Sequence, residues 1–206
     1  LRARELVKNG DQLHAEGLFE SAFGAYRAAS KYLPDSKEIQ AKLVRTKFSE
    51  GFERAKNARN YDDHFEARAV LEDAISSSHE FFETDIAHMK KDAKERVDWV
   101  NRFLHLRDSI ARGLKTGDFR HAEQEFQVLI NFAPELKSSE DLKRIEDEIL
   151  ELGSDHEHLE RARDAMSNQR YKEAEDLVRR VIASRNQSIA DEAQKMLQRI
   201  QAITNK

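Results

Sequence analysis

The chain has 206 residues, 39% hydrophobic and 36% charged, with a net charge of −4, seven Gly, two Pro and no Cys. That length suffices for one sizeable core or a short array of repeats. The composition excludes disulfides and thiolate chemistry within the chain, does not suggest a nucleic-acid partner, and holds no apolar run near the ~20 residues that span a bilayer.

The start, LRARELVKNG, is charged, without an apolar core or an initiator Met. It reads as the edge of a processed or excised fragment, in a cytoplasmic or bacterial periplasmic setting. Few breakers and many Glu, Lys, Arg, Ala and Leu residues favour long helices, and no strand signal interrupts them. The first two helices are expected at about 1–16 and 19–33, before Pro34. A long helix follows at about 36–59, with Ile39, Leu43, Phe48, Phe52 and Ala55 on one face, then another at 62–78. Residues 80–115 read as one helix of about 54 Å at ~1.5 Å per residue. It carries two stripes, Phe82, Ile86, Met89, Ala93, Val97, Val100 and Trp99, Phe103, Leu106, Ile110. Helices at about 118–132 and 139–151 come next, the latter capped by Ser138 or Ser139. Gly153-Ser154 is the expected break before helices at about 155–168, 171–184 and a capping helix at 187–204.

Internal repetition organises these elements. Leu6, Asn9, Gly10 and Leu13 precede a turn at Gly17 and Phe19, and Ala22, Tyr26, Ala29 and Pro34 follow. Gly117, Asp118 and Phe119 form a second turn, followed by Ala122, Phe126, Leu129 and Pro134. The offsets from turn aromatic to Ala, aromatic and Pro are identical in the two copies. Weaker copies carry Ala67, Leu71 and Ala74, and Ala162, Ala165, Tyr171, Ala174, Val178 and Val181. Small residues let antiparallel helices approach, and large ones a turn away fill the space beside them.

This pattern resembles the tetratricopeptide repeat, in degenerate form. Equivalent alanines at 22, 67, 122 and 174 lie 45, 55 and 52 residues apart, where a regular array repeats every ~34. The expectation is an all-α chain forming a single irregular α-solenoid over 1–206. Its four hairpins are expected at about 1–34, 36–78, 80–134 and 155–185, with an inserted helix at 139–151 and a cap at 187–204.

The resemblance further implies a concave groove lined by the first helices of the hairpins. Carried over position by position, that groove presents Arg4, Val7, Lys8, Asp11 and His14, then Phe52, Lys56 and Arg59. Arg107, Ala111, Leu114 and Lys115 follow, and then Leu159, Glu160, Arg163 and Met166. Seven Lys/Arg against two acidic residues on this set predict an acidic or carboxylate-bearing partner segment. Val7 and Asp11 stand where the chaperone-binding members of the family carry a Lys/Asn clamp, which argues against that role.

Motifs for catalysis are sparse. His79–Glu83 (HEFFE) and His156–Glu160 (HEHLE) resemble the zinc-protease motif, but both end in Glu where a second His is required. No phosphate-binding loop or nucleophile elbow occurs. The acidic stretch 140–160, nine Asp/Glu against two Lys/Arg, is a second possible contact, with a solvated insertion the favoured reading. The expectation is therefore a non-enzymatic scaffold or adaptor that binds a protein or peptide, without cofactor or metal. A structural, self-associating subunit using the Phe81/Phe82 edge is the alternative, and a metal-dependent hydrolase ranks third.

Overall fold

The computed structural model describes residues 1–81 and 83–205, and for Tyr61 the backbone alone. The described residues form an all-α chain of nine α-helices and one 3-10 turn, with no strand. In order these are α1 (Arg2–Ala15), α2 (Phe19–Ser30), α3 (Lys37–Asn57), α4 (Tyr61–Ser77), α5 (Thr84–Thr116), α6 (Phe119–Phe132), the turn Pro134–Leu136, α7 (Glu140–Ser167), α8 (Tyr171–Val181) and α9 (Gln187–Thr204).

The helix starts follow from local chemistry. The first backbone N–H groups of a helix have no partner within it, so a short polar side chain one residue upstream supplies one. Ser36, Asn60, Asp118, Ser139 and Asn186 each accept from the N–H three residues on, at 3.0–3.4 Å.

Three hairpin turns share one geometry. Gly17, Gly117 and Gln169 adopt φ of 76°, 77° and 59°, each two residues before the aromatic that opens the next helix, Phe19, Phe119 or Tyr171. In each turn the left-handed residue donates its N–H three residues back, and the following residue donates five back. The pairs are Gly17 to His14 with Leu18 to Leu13, Gly117 to Leu114 with Asp118 to Gly113, and Gln169 to Met166 with Arg170 to Ala165. This is the Schellman closure, which satisfies the last carbonyls of the first helix and reverses the chain at once. The turn between α3 and α4 differs: Ala58 is extended at φ −62°, ψ 129°, and Asn60 opens α4.

The chain divides into two compact units, residues 1–102 and 103–206, with the division inside α5. In the first unit, Ala22, Tyr26, Ala29 and Ile39 pack α1, α2 and α3 together. A second cluster joins α3, α4 and the start of α5 through Phe48, Leu71, Ile86 and Val97. In the second unit, Leu159, Ala162, Ala174, Val178, Ala193 and Ile200 form the core of α7, α8 and α9, with Leu114 and Phe119 against it. The four repeat alanines, Ala22, Ala67, Ala122 and Ala174, are each completely buried.

Two expectations about element bounds change. α5 starts at Thr84, so His79 to Phe81 precede it, and the expected contribution of Phe82 lies outside the described residues. The break expected at Gly153-Ser154 does not occur. The helices expected at 139–151 and 155–168 are one helix of 28 residues. Gly153 costs a helix ~1 kcal/mol relative to Ala. Here, however, it faces the Phe119 ring, where a Cβ would come within 3.2 Å, and Leu152 and Leu159 on either side are buried. Packing across the glycine outweighs its propensity.

Gly113 marks a close approach of α5 and α6. A Cβ there would lie 3.0 Å from the Ala122 nitrogen and 3.1 Å from its Cβ, so the neighbour that must yield is largely backbone. Gly113→Ala is therefore expected to lower stability by about 1 kcal/mol despite its better helix propensity. Gln169→Gly, relieving a left-handed non-glycine residue, is expected to raise stability by about 0.5–1 kcal/mol. Urea midpoints of the two variants against the parent chain test both signs.

Candidate functional site

The residues expected to line a binding groove meet different fates. Arg4, Lys8, Lys56 and Arg59 are exposed on α1, on α3 and in the turn after α3. Asp11 is engaged within the fold: its carboxylate accepts from the Tyr26 hydroxyl at 2.7 Å and from the Lys42 ammonium at 2.6 Å. Phe52 stacks beside Phe48, ring centroids 6.4 Å apart, and packs on the core of its unit. Arg163 binds Glu160 on its own helix and Glu192 on α9, and Met166 packs against the α7–α9 core. These four positions hold the helices together.

Arg107, Ala111, Leu114 and Lys115 stand together. All four lie on the wall that α5 contributes to an open groove of about 880 Å³ in the second unit. They recur at intervals of four, three and one residues, which places them along one side of the helix. The opposite wall is a stripe of α7 at residues 141, 144, 145, 148, 151, 152 and 155. Ser184 to Gln187, between α8 and α9, complete the lining. Apolar contact comes from Ile110, Leu114, Ile145 and Leu152, with Ile110 and Leu152 buried. Asn186 ties this end together: its side-chain amide donates to the Leu114 carbonyl of α5, and its oxygen caps α9.

The charge of the groove departs from the expected basic lining. Five carboxylates (Asp108, Asp141, Glu148, Glu151 and Asp155) face it, with four cations (Arg107, Lys115, Arg144 and Arg185). The register of the repeats missed this because the second wall comes from the first half of α7, which has no counterpart in the repeat. Some of these charges meet within the groove: Arg144 reaches Glu148 at 3.4 Å, and Arg185 reaches Glu151 at 3.7 Å. Asp155 keeps one carboxylate oxygen buried without a hydrogen-bond partner among the described residues.

The candidate chemical groups are dispersed. His156 and His158 lie in the interior of α7. His156 sits against the Phe119 ring at 5.8 Å, whereas His158 Nδ1 lies 2.7 Å from the Ser154 carbonyl and donates to it. HEFFE precedes α5 and includes Phe82, outside the described residues. Phe81 is half-buried against the first unit's core, which leaves little of its ring as an exposed edge. Among the described residues no three His, Asp or Glu side chains are grouped to hold a metal ion. No helix there is long and apolar enough to cross a membrane. Ser109 Oγ lies 3.0 Å from His121 Nε2, the separation of a nucleophile and its base, and sequence spacing alone gave no sign of this pair. Ser109 is only 5% exposed, and the contact joins α5 to α6.

No protein-family model, curated protein or solved structure matches the chain.

The Asp11 network has a defined pH signature. Burial pushes the carboxyl up, but hydrogen bonds from Lys42 and Tyr26, with the Lys42 charge, outweigh it and hold Asp11 below the usual carboxylate range. Burial and the same carboxylate push the Tyr26 phenol up. A depressed folded-state pKa contributes stability above the ordinary Asp value, and that contribution is lost as pH falls through the folded value. Asp11→Asn is expected to cost about 1 kcal/mol near neutrality, solvent screening of the half-exposed carboxylate keeping it small. The gap to the parent chain is expected to close below a pH of about 4. Urea midpoints across that range check the sign.

Proposed function

We propose that this chain is a helical-repeat interaction module, and that a protein segment seats in the groove between α5 and α7. On this reading α1–α2, α3–α4, α5–α6 and α7–α8 are irregular tetratricopeptide-like hairpins of a solenoid, and α9 covers the last of them. The repeated Schellman turns, each two residues before an aromatic, and the buried alanines at equivalent places support that reading. The observation that carries the function is the groove itself. Its volume, about 880 Å³, falls in the range of ligand sites, and it joins an apolar floor to charged rims of both signs. The function is that of a scaffold or adaptor, without catalysis.

Beside the acidic partner expected from the repeat positions, the mixed charge along this groove favours a segment that carries both signs. An extended or helical segment would lay apolar side chains on Ala111, Leu114, Ile145 and Leu152 and charged ones on the rims. A photo-crosslinking residue at Ala111, in extract of the source cells, is expected to give a discrete protein adduct. The same residue at Glu146, exposed on α7 and outside the groove, is expected to give none. Equal adducts from both positions, or none from Ala111, would refute the reading.

A further inference from the structure

We propose that His14 makes the α1–α2 closure an acid-sensitive clasp: protonating its ring loosens the hairpin turn that its own carbonyl helps to close. The clasp lies in the first unit and does not depend on the groove in the second.

His14 stands in the last turn of α1, and its carbonyl accepts the Gly17 N–H at 3.0 Å, one of the two bonds that reverse the chain. Its ring meets the Phe19 ring edge-on, centroids 5.1 Å apart and planes at 69°, so it ties the end of α1 to the first residue of α2. Nε2 is buried and has no hydrogen-bond partner among the described residues. A neutral imidazole tolerates that place, because one of its two nitrogens carries no proton. In the imidazolium both nitrogens are donors, and Nε2–H becomes a buried, charged donor with nothing to receive it. The ring regains water by swinging away from Phe19, and the turn then loses the contact that joins its two sides.

The surrounding charges set the pH range. Burial is the largest influence on the ring's proton and holds it below the ordinary imidazole value. Asp11, three residues earlier on α1, favours the cation, and Lys42 of α3 opposes it. Lys42 and the Tyr26 hydroxyl of α2 also hold the Asp11 carboxylate, at 2.6 and 2.7 Å, so its charge is shared before the ring can draw on it. With the folded-state value depressed, the folded chain takes up this proton less readily than the unfolded one. Stability that depends on neutral His14 is therefore complete above a pH of about 6.5 and declines as pH falls below that towards the folded-state value. The contribution of Asp11 is lost only below a pH of about 4, which separates the two effects. The other two Schellman closures provide a comparison within the same chain, since Leu114 and Met166 stand where His14 does and neither titrates.

Amide exchange of the full chain at about pH 7.5 and about pH 5.5, each rate divided by its intrinsic rate, reads the opening of each closure. Opening at Gly17 and Leu18 is expected to rise about threefold or more at the lower pH, while opening at Gly117 stays level. Proton NMR titration of the His14 ring is expected to give a value below that of an unstructured peptide with the same residues around it. His14→Gln keeps a polar side chain but cannot gain the charge, and it is expected to remove the rise at Gly17 and Leu18. A ring that titrates at the peptide value, unchanged opening at Gly17 and Leu18, or an equal rise at Gly117 would each overturn the proposal. So would a His14→Gln chain that keeps the rise. The first three readings need only the parent chain, so a variant that fails to fold does not leave the matter open.

Discussion

In three of this chain's hairpins a helix doubles back within a few residues because one residue takes a left-handed backbone and the last carbonyls find donors. Gly17, Gly117 and Gln169 meet that demand with the same pair of hydrogen bonds. Each turn then delivers an aromatic, Phe19, Phe119 or Tyr171, at the start of the returning helix, and three residues beyond it an alanine with no exposed surface. The alanine permits close helix approach, and Tyr26, Phe126 and Val178, four residues further, fill the space beside it. In these three hairpins, geometry at one residue thus sets the spacing of the core.

The groove is a consequence of departing from that scheme. Regular hairpins would place one first helix after another along a wall. Here α7 begins about four turns before the hairpin it belongs to, and its extra length stands opposite α5. Gly153 keeps this extension continuous with the hairpin helix because the Phe119 ring occupies the place of its missing side chain. Asn186 fixes the far end, bonded at once to the end of α5 and the start of α9. The recess is bounded by helices whose positions are set by buried packing, so its walls are preorganised.

Local features were the most legible in the sequence. The turn glycines, the alanines, Ser139 as a cap and the all-helical character follow from short-range rules that tertiary packing did not contradict. Site residues were legible only in part. Arg107, Ala111, Leu114 and Lys115 share a wall because helical periodicity alone puts them there. Asp11 and Arg163 look equally available in sequence, yet their charges are met by Lys42 and Glu192, 31 and 29 residues away. Partners at such separations leave no local trace. The acidic wall reads in sequence as a solvated insertion for a different reason: an acidic helix facing solvent and one facing a groove have the same composition.

The three hairpin closures are alike in geometry but not in chemistry. Two use glycine, for which a left-handed backbone carries no steric penalty, while Gln169 holds φ 59° against a side chain that disfavours it, at a cost of ~1–2 kcal/mol. Native proteins open in cooperative segments, and the energy of each opening is what amide exchange reads. The link between α7 and α8 therefore carries a built-in discount on opening that the other two Schellman links lack. Opening of that link releases backbone strain, whereas opening at a glycine closure releases none. Asn186, which finishes the groove, lies on that segment, so the recess is completed by the part of the chain that follows its strained Schellman link.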